Sequence, residues 1–382
     1  MIQQKISKTN SLKSLLKRVD WNEIYWPTAL FLIITPLVAF IFVPIYFYVA
    51  GVPWGVIVFS LIFAALTNLS ITAGYHRLFS HKSYEAHSLV RAIYLLIGAS
   101  AWQGSALKWS ADHRKHHSKV DSDEDPYSIQ KGFWYAHMGW LFLKSSVDQK
   151  PSAPDLEKDW MIRFQHDFYI PLAIAMSFGF PMLIGAFLHA PWAGLMIGGA
   201  LRVVLTQQST FFVNSLSHTL GKQTYTDEIS ARDSLIVAFL THGEGYHNFH
   251  HKFQIDYRNG IRWYQWDPTK WTIRGLALLG LAKKLRKISE QEILKAKLQM
   301  ESLRLKSRGF SADKIEQARN RILQAQASLR STKTEYLRLK SEATLASQRR
   351  LQELKVELEL AQIEFQYACR QWKAFLTAPV PV

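Results

Sequence analysis

The chain has 382 residues, 48% hydrophobic and 13% aromatic, with a formal net charge of +16. Its mean hydropathy near zero averages two unlike parts, an apolar aromatic stretch to about residue 285 and a polar tail. One cysteine, Cys369, excludes an internal disulfide, a thiolate zinc site and a self-contained iron–sulfur cluster. No nucleic-acid motif accompanies the charge, which suits an anionic membrane surface or an acidic carrier.

Residues 1–24 form a basic segment with Lys5, Lys8, Lys13, Lys17 and Arg18. The apolar stretch behind it starts too late and runs too long for a cleavable signal peptide. Apolar runs at 29–50 and 53–75 are separated by a turn at Gly51, and 168–190 and 192–213 repeat the arrangement. Each has about the 20 residues that cross a hydrocarbon core. Four spans in two hairpins put both termini on one side. The outer connections lack Lys and Arg, so the positive-inside rule puts the termini and the 76–165 segment in the cytosol. Arg202, inside the fourth run, is read as a structural or snorkelling cation rather than a site residue.

From about residue 282 the pattern is helical, interrupted at Arg308–Gly309–Phe310, with Ser311 able to cap a new helix. Leu351, Leu354, Leu358, Ala361, Phe365, Ala368, Trp372 and Phe375 follow a 3–4 spacing. A second seam (Ile315, Ala318, Ile322, Ala325, Leu329) is out of phase with it. This pattern predicts a coiled coil or a helical hairpin, oligomerising or docking. Expected boundaries are 1–24 for a cytosolic basic segment, 25–286 for a membrane domain with a cytosolic cap, and 287–382 for the extension.

Fourteen histidines are present, none beyond His251. His76 and His81 stand in HRLFSH, His113, His116 and His117 in HRKHH, and His247, His250 and His251 in HNFHH. Spacings of three and four share a helix face, so each HxxHH is expected to point three imidazoles into one space. Asn214 and His218 offer another helical pair. Imidazole suits iron, copper, nickel and zinc, and the number of histidines exceeds the four ligands of a structural zinc site, matching two metal ions.

The segments ITAGYHRLFSHKSYEAH, KWSADHRKHH, DEDPYS, KGFWYAHMGW, NSLSH and GEGYHNFHH resemble the acyl-CoA Δ9-desaturases, the stearoyl-CoA desaturase family of integral-membrane histidine-box enzymes. The resemblance runs from about residue 25 to 285. It implies an all-α membrane protein: four transmembrane helices in two hairpins under a cytosolic helical cap, here with a C-terminal long-helix or coiled-coil extension. It implies two iron ions on His76, His81, His113, His116, His117, His218, His247, His250 and His251, with Asn214 reaching one iron through a water. Asp112, Asp125 and Glu244 are expected to accept from imidazole N–H groups. The implied acyl tunnel bends at Gln103, Trp109 and Thr210, ends near Ala64 and Asn68, and passes near His137. Where family members acting on coenzyme A esters carry Asn and Arg, this chain has Gly104 and Ala111. Lys108, Lys144 and Arg114 are the remaining candidates for head-group contacts.

The implied reaction introduces a cis double bond, at Δ9, into a long-chain acyl thioester or lipid-linked acyl chain, with O2 as co-substrate. A separate donor of ferredoxin, rubredoxin or cytochrome b5 type is expected, since no dinucleotide fingerprint is present and the tail lacks histidines for a haem. A membrane hydroxylase of lipids or alkanes, and a metal-binding scaffold acting through the tail, are the alternatives. A bacterial inner membrane is the expected location.

Overall fold

The computed structural model describes residues 20–147, 152–342 and 348–379; the expectations for residues 1–19 lie outside these. Helix α1 (Trp26–Ala50) and α2 (Trp54–Ser80) form the first apolar pair, joined through Gly51 at φ 79°. A short apolar helix, α3 (Ser88–Ala99), and the polar, histidine-bearing α4 (Ala106–Lys119) follow. Next come α5 (Tyr169–Phe187) and α6 (residues 191–215). Among the described residues, three helices, α1, α2 and α5, are long and apolar enough to cross a membrane. Of the expected four spans, α6 falls short of that mark. It is continuous, but Arg202, Gln207, Gln208 and Asn214 dilute its apolar run.

Outward faces of α1 and α5 are apolar and bare, with Phe40, Val49 and Phe187 exposed, as lipid-facing helices require. Between helices, small residues let backbones touch. A Cβ on Gly194 of α6 would lie 2.2 Å from the Pro181 carbonyl oxygen of α5.

Beyond α6 lie the short α7 (His247–Lys252) and then α8 (Pro268–Leu278). The all-α expectation misses a two-stranded antiparallel ribbon, β1 (Glu85–Ala86) with β2 (Ala282–Lys283). It ties the end of the apolar region back to the segment after α2. Arg286 N–H donates to the Ser83 carbonyl at 2.9 Å, and Tyr257 N–H to the Arg286 carbonyl at 3.0 Å.

The extension is α9 (Glu290–Ser307), α10 (Ala312–Ser341) and α11 (Gln348–Thr377), and α9 opens with a capping box of Ser289 and Glu292. Arg308 donates to the Leu376 carbonyl, Arg321 to Gln371 and Arg350 to Glu335, so partners descend on α11 as they ascend on α10. The pair is an antiparallel hairpin. Its two seams meet in one core of Ile315, Ile322, Ala325, Ala368 and Trp372, to which α9 adds Leu298 and Leu305. The apolar stripes read from the sequence are thus satisfied within a single chain.

Candidate metal centre and adjoining cavity

The last turns of α2, Ser70–Ser80, are widened to π-helical geometry, with His81 N–H donating to the His76 carbonyl at 3.1 Å, an i→i+5 bond. In an α-helix, residues five apart diverge. Here the wide turn brings them to one side, and the His76 and His81 rings meet edge to face, 4.9 Å apart. Helix α4 starts at the N-cap Ser105, whose Oγ accepts from Lys108 N–H at 3.2 Å, and presents His113, His116 and His117 inward. The short α7 is held by the buried Asn248, whose side-chain oxygen accepts from the backbone N–H of Thr224, Tyr225 and Thr226.

Nine imidazoles converge in two adjoining groups: His76, His81, His113, His117 and His250 in one, and His116, His218, His247 and His251 in the other. Within each group all the ligating nitrogens lie within 4.8 Å of one another. Each HxxHH triplet is divided between the groups, contrary to the expectation of three rings in one space. The i,i+4 pairs, His113 with His117 and His247 with His251, stay together. His116 and His250, at i+3, swing to the other side and enter the opposite group. The groups touch, with the His117 and His251 rings 4.1 Å apart.

Several contacts fix the tautomers. Glu244 accepts from His76 Nδ1 at 2.9 Å and Asp125 from His116 Nδ1 at 2.9 Å. Ser230 Oγ donates to Asp121 at 2.6 Å and so accepts from His218 Nδ1 at 2.7 Å. In the neutral tautomer that these bonds select, Nε2 of each ring carries the lone pair. The buried His218 Nε2 has no hydrogen-bond partner. Elsewhere Nε2 atoms meet pairwise at 2.8–3.0 Å, as in His81–His113 and His76–His250. Two metal–nitrogen bonds of about 2.1 Å at right angles separate their nitrogens by about 3 Å, so the donor set fits bound metal ions.

Burial, then repulsion between neighbouring rings, pushes His81, His113, His117, His247, His250 and His251 well below the usual imidazole pKa, keeping them neutral. His218 is lowered to about 3 by burial and by His116. Burial pushes the Glu244 carboxyl up, but His76 and Arg77 outweigh it and hold it at about 2.

Alongside lies a cavity of about 350 Å³, walled by His76, His113, His116 and His247. Gln103, Trp109, Thr210, Asn68 and Asn214 line it too. Trp109 Nε1 donates to Gln103 Oε1 at 3.2 Å, and Gln103 Nε2 to Thr210 Oγ1 at 2.9 Å, so these three side chains form one chain of hydrogen bonds. Ala64 is not on the cavity; its carbonyl accepts from Asn68 Nδ2 at 3.0 Å. His137 is also off it, with Nδ1 against Ser215 and Nε2 against Gln208, both at 2.9 Å. Asp112, grouped with Asp125 and Glu244 from sequence, instead accepts from Lys108 Nζ at 2.7 and 2.8 Å. Arg114 is committed to Asp155 and to the Phe79 and Ser80 carbonyls.

Sequence reading missed Ser230 and Asp121 behind His218. It also missed Arg77, buried between Glu244 (2.8 Å) and Asp267 (3.1 Å). The Arg beside the first histidine of HRLFSH was the available signal for Arg77; nothing local pointed to Ser230.

Helices long and apolar enough to cross a membrane, beside a buried imidazole-walled pocket fit for metal ions, mark the class of helical membrane proteins with a metal-binding site. The fatty acid desaturase family model matches residues 52–282, and the chain belongs to that family. It is 46% identical over 253 residues to "Acyl-CoA desaturase 1" of Saccharomyces cerevisiae, covering 65% of this chain and 50% of that protein. It is 34% identical over 235 residues to "Stearoyl-CoA desaturase 5" of Bos taurus, covering 60% and 70%. It is 38% identical over 228 residues to "sn-2 palmitoyl-lipid 9-desaturase" of a Nostoc species, covering 57% and 76%. The chain thus spans about half the length of the yeast relative. The relatives in yeast and cattle give no support to the expected bacterial inner membrane.

Proposed function

We propose that the protein is a membrane fatty acyl desaturase, introducing a cis double bond at Δ9 of a saturated long-chain acyl-CoA. The carrying observation is the pairing of nine buried imidazoles in two groups with a cavity whose wall they share. The overall change is saturated acyl chain + O2 + 2 electrons + 2 protons → monoene + 2 H2O. A di-iron centre with O2 supplies the oxidant for two unactivated C–H bonds. His76, His81, His113, His117 and His250 would hold one ion, and His116, His218, His247 and His251 the other. Asn214, on the cavity wall, would reach the second through water.

The residues do the rest. Glu244, Asp125 and Ser230 hold the imidazole protons on Nδ1. The Gln103–Trp109–Thr210 chain shapes the wall beside the histidines, so that one stretch of methylenes lies against them. Lys108, on the cavity with its carboxylate partner Asp112, is the cation that would meet the thioester's polar end. In this reading α6 is a fourth span, held in the bilayer by its neighbours, and the termini and histidine cap face the cytosol. Two electrons come from a separate ferredoxin-, rubredoxin- or cytochrome b5-type donor, and α9–α11 are an accessory module.

The test is purified, iron-loaded protein given stearoyl-CoA, O2 and a reduced donor, with double bonds located by mass spectrometry. Δ9 monoenes are expected. Hydroxy acids without alkenes would replace the reading by a hydroxylase, and turnover with no donor would overturn the separate-donor element.

A further inference from the structure

We propose that Trp102, stacked on Phe31 and locked from beneath by Arg202, is the floor of the acyl cavity and limits the chain length it accepts. The proposal rests on the desaturase reading above. Among the described residues, none lining the cavity on α2 or α6 lies farther from the histidines than Asn68 and Gln207. Trp102 stands at that depth, since Gln207 Nε2 donates to its carbonyl at 3.1 Å. Its indole is stacked on Phe31, also a lining residue, at 4.5 Å between ring centres, and on its other side meets Phe178 at 6.0 Å.

The backbone of Trp102 is in the left-handed region, φ 54°, which a bulky residue adopts only when its surroundings impose it. Two features impose it. At the end of α3, Gly98 packs on Tyr75 so closely that a Cβ would lie 2.5 Å from the ring, fixing where the helix stops. Arg202, deeper on α6 than Gln207, then grips the residues leading into Trp102. Its Nη2 donates to the Ser100 carbonyl at 3.1 Å, its Nη1 to Thr67 Oγ1 at 3.2 Å and its Nε to the Gly198 carbonyl at 2.7 Å. No carboxylate pairs with this buried guanidinium among the described residues. The Ser100 carbonyl at the C-terminus of α3, the Gly198 carbonyl and the Phe63 ring, 4.5 Å away, stand in for one. Arg202 is therefore a positioning residue: it joins α2, α3 and α6 directly beneath the cavity, and its effect on substrate passes through Trp102. The indole N–H has no acceptor, so packing and not hydrogen bonding gives this side chain its role.

Each methylene buried beyond the present floor would add about four-fold in affinity, and the wild-type wall denies that gain to longer chains. The experiment uses the full-length holoenzyme with donor and an equimolar mixture of palmitoyl-, stearoyl-, arachidoyl- and behenoyl-CoA. Trp102→Gly, which tolerates the positive φ, should raise the arachidoyl-to-palmitoyl product ratio at least about ten-fold, the gain of two such methylenes. Trp102→Phe should keep the wild-type profile, and Arg202→Lys should broaden it toward longer chains. An unchanged profile in Trp102→Gly overturns the proposal. Should that variant not fold, Phe31→Ala, which opens the same stack from the other side, carries the same expectation. A parallel readout is the rise in Tm with each thioester, which needs no turnover. Wild-type protein that yields no alkene fails the desaturase reading. A Tm gain that stops growing at the same length in wild type and Trp102→Gly fails the floor.

Discussion

Glu244→Gln separates a residue that sets an imidazole tautomer from one that does not. Both Glu244 oxygens accept: Oε1 from Arg77 at 2.8 Å, and Oε2 from His76 Nδ1 at 2.9 Å and Asn259 Nδ2 at 2.7 Å. An amide offers one oxygen, so its NH2 must confront either Arg77 or His76. Asn259 can flip to accommodate it; the guanidinium cannot. Facing His76, the NH2 favours the tautomer with its proton on Nε2, the nitrogen turned toward His250. Loss of such an outer partner costs about 10- to 100-fold in metal affinity, about 1.4–2.7 kcal/mol. Folding should suffer less than a stranded cation would imply. Arg77 keeps both Asp267 oxygens (3.1 and 3.2 Å) and the Tyr257 carbonyl (2.8 Å), leaving a cost of about 1–3 kcal/mol for one unmet donor. The assay is iron retained against a graded chelator, with helicity and Tm measured alongside. Asp112→Asn is the control: its partner is Lys108, so iron retention should match wild type. Equal retention in Glu244→Gln and wild type would refute the tautomer argument.

His116→Ala and His250→Ala each remove a ligand from a different group; both should lose iron and turnover while keeping helicity, and full activity in either would sink the ligand assignment. In metal-stripped protein the neutral imidazoles set the pH response. Unfolded histidines take up protons below about pH 6.5, whereas His218 resists to about 3. The folded-state pKa is depressed, so this stability is present above pH 6.5 and is lost as pH falls toward 3, about 1.4 kcal/mol per group per unit. Tm should therefore fall between about pH 7 and 5.5, and a flat Tm would contradict the buried-neutral assignment. Removing residues 290–382 spares the Arg286 and Ile288 contacts with Ser83, Tyr257 and Asp256. Turnover should stay within a few-fold; a folded but inactive truncation would make the extension more than accessory. Trp372→Ala should destabilise the α9–α11 core by about 3–5 kcal/mol, seen as a tail-specific loss of protection in hydrogen exchange, and unchanged protection would refute the packing.

The sequence by itself determined the elements whose cause is local. Apolar run length predicted α1, α2 and α5, because crossing a hydrocarbon core demands a fixed number of apolar residues. The 3–4 seams of α10 and α11 announced a pair of packed helices. Histidine count and chemistry announced a buried cluster of imidazoles able to hold metal. The tertiary structure alone decided how the imidazoles are shared. The split of each HxxHH across two groups depends on α4 and α7 meeting face to face, and the pairing of His76 with His81 depends on a π-helical turn that periodicity does not encode. Asp112, Asp125 and Glu244 look alike as residues near histidines; which one reaches an imidazole is fixed by neighbours up to 167 positions away, as with Arg77 on Glu244. Arg202 shows the same limit. In the sequence it is a cation interrupting an apolar run; in the fold its partners come from α2, the end of α3 and α6. Hydrogen-bond partners and cavity walls are relations between distant segments, and only the packed chain brings those segments within reach.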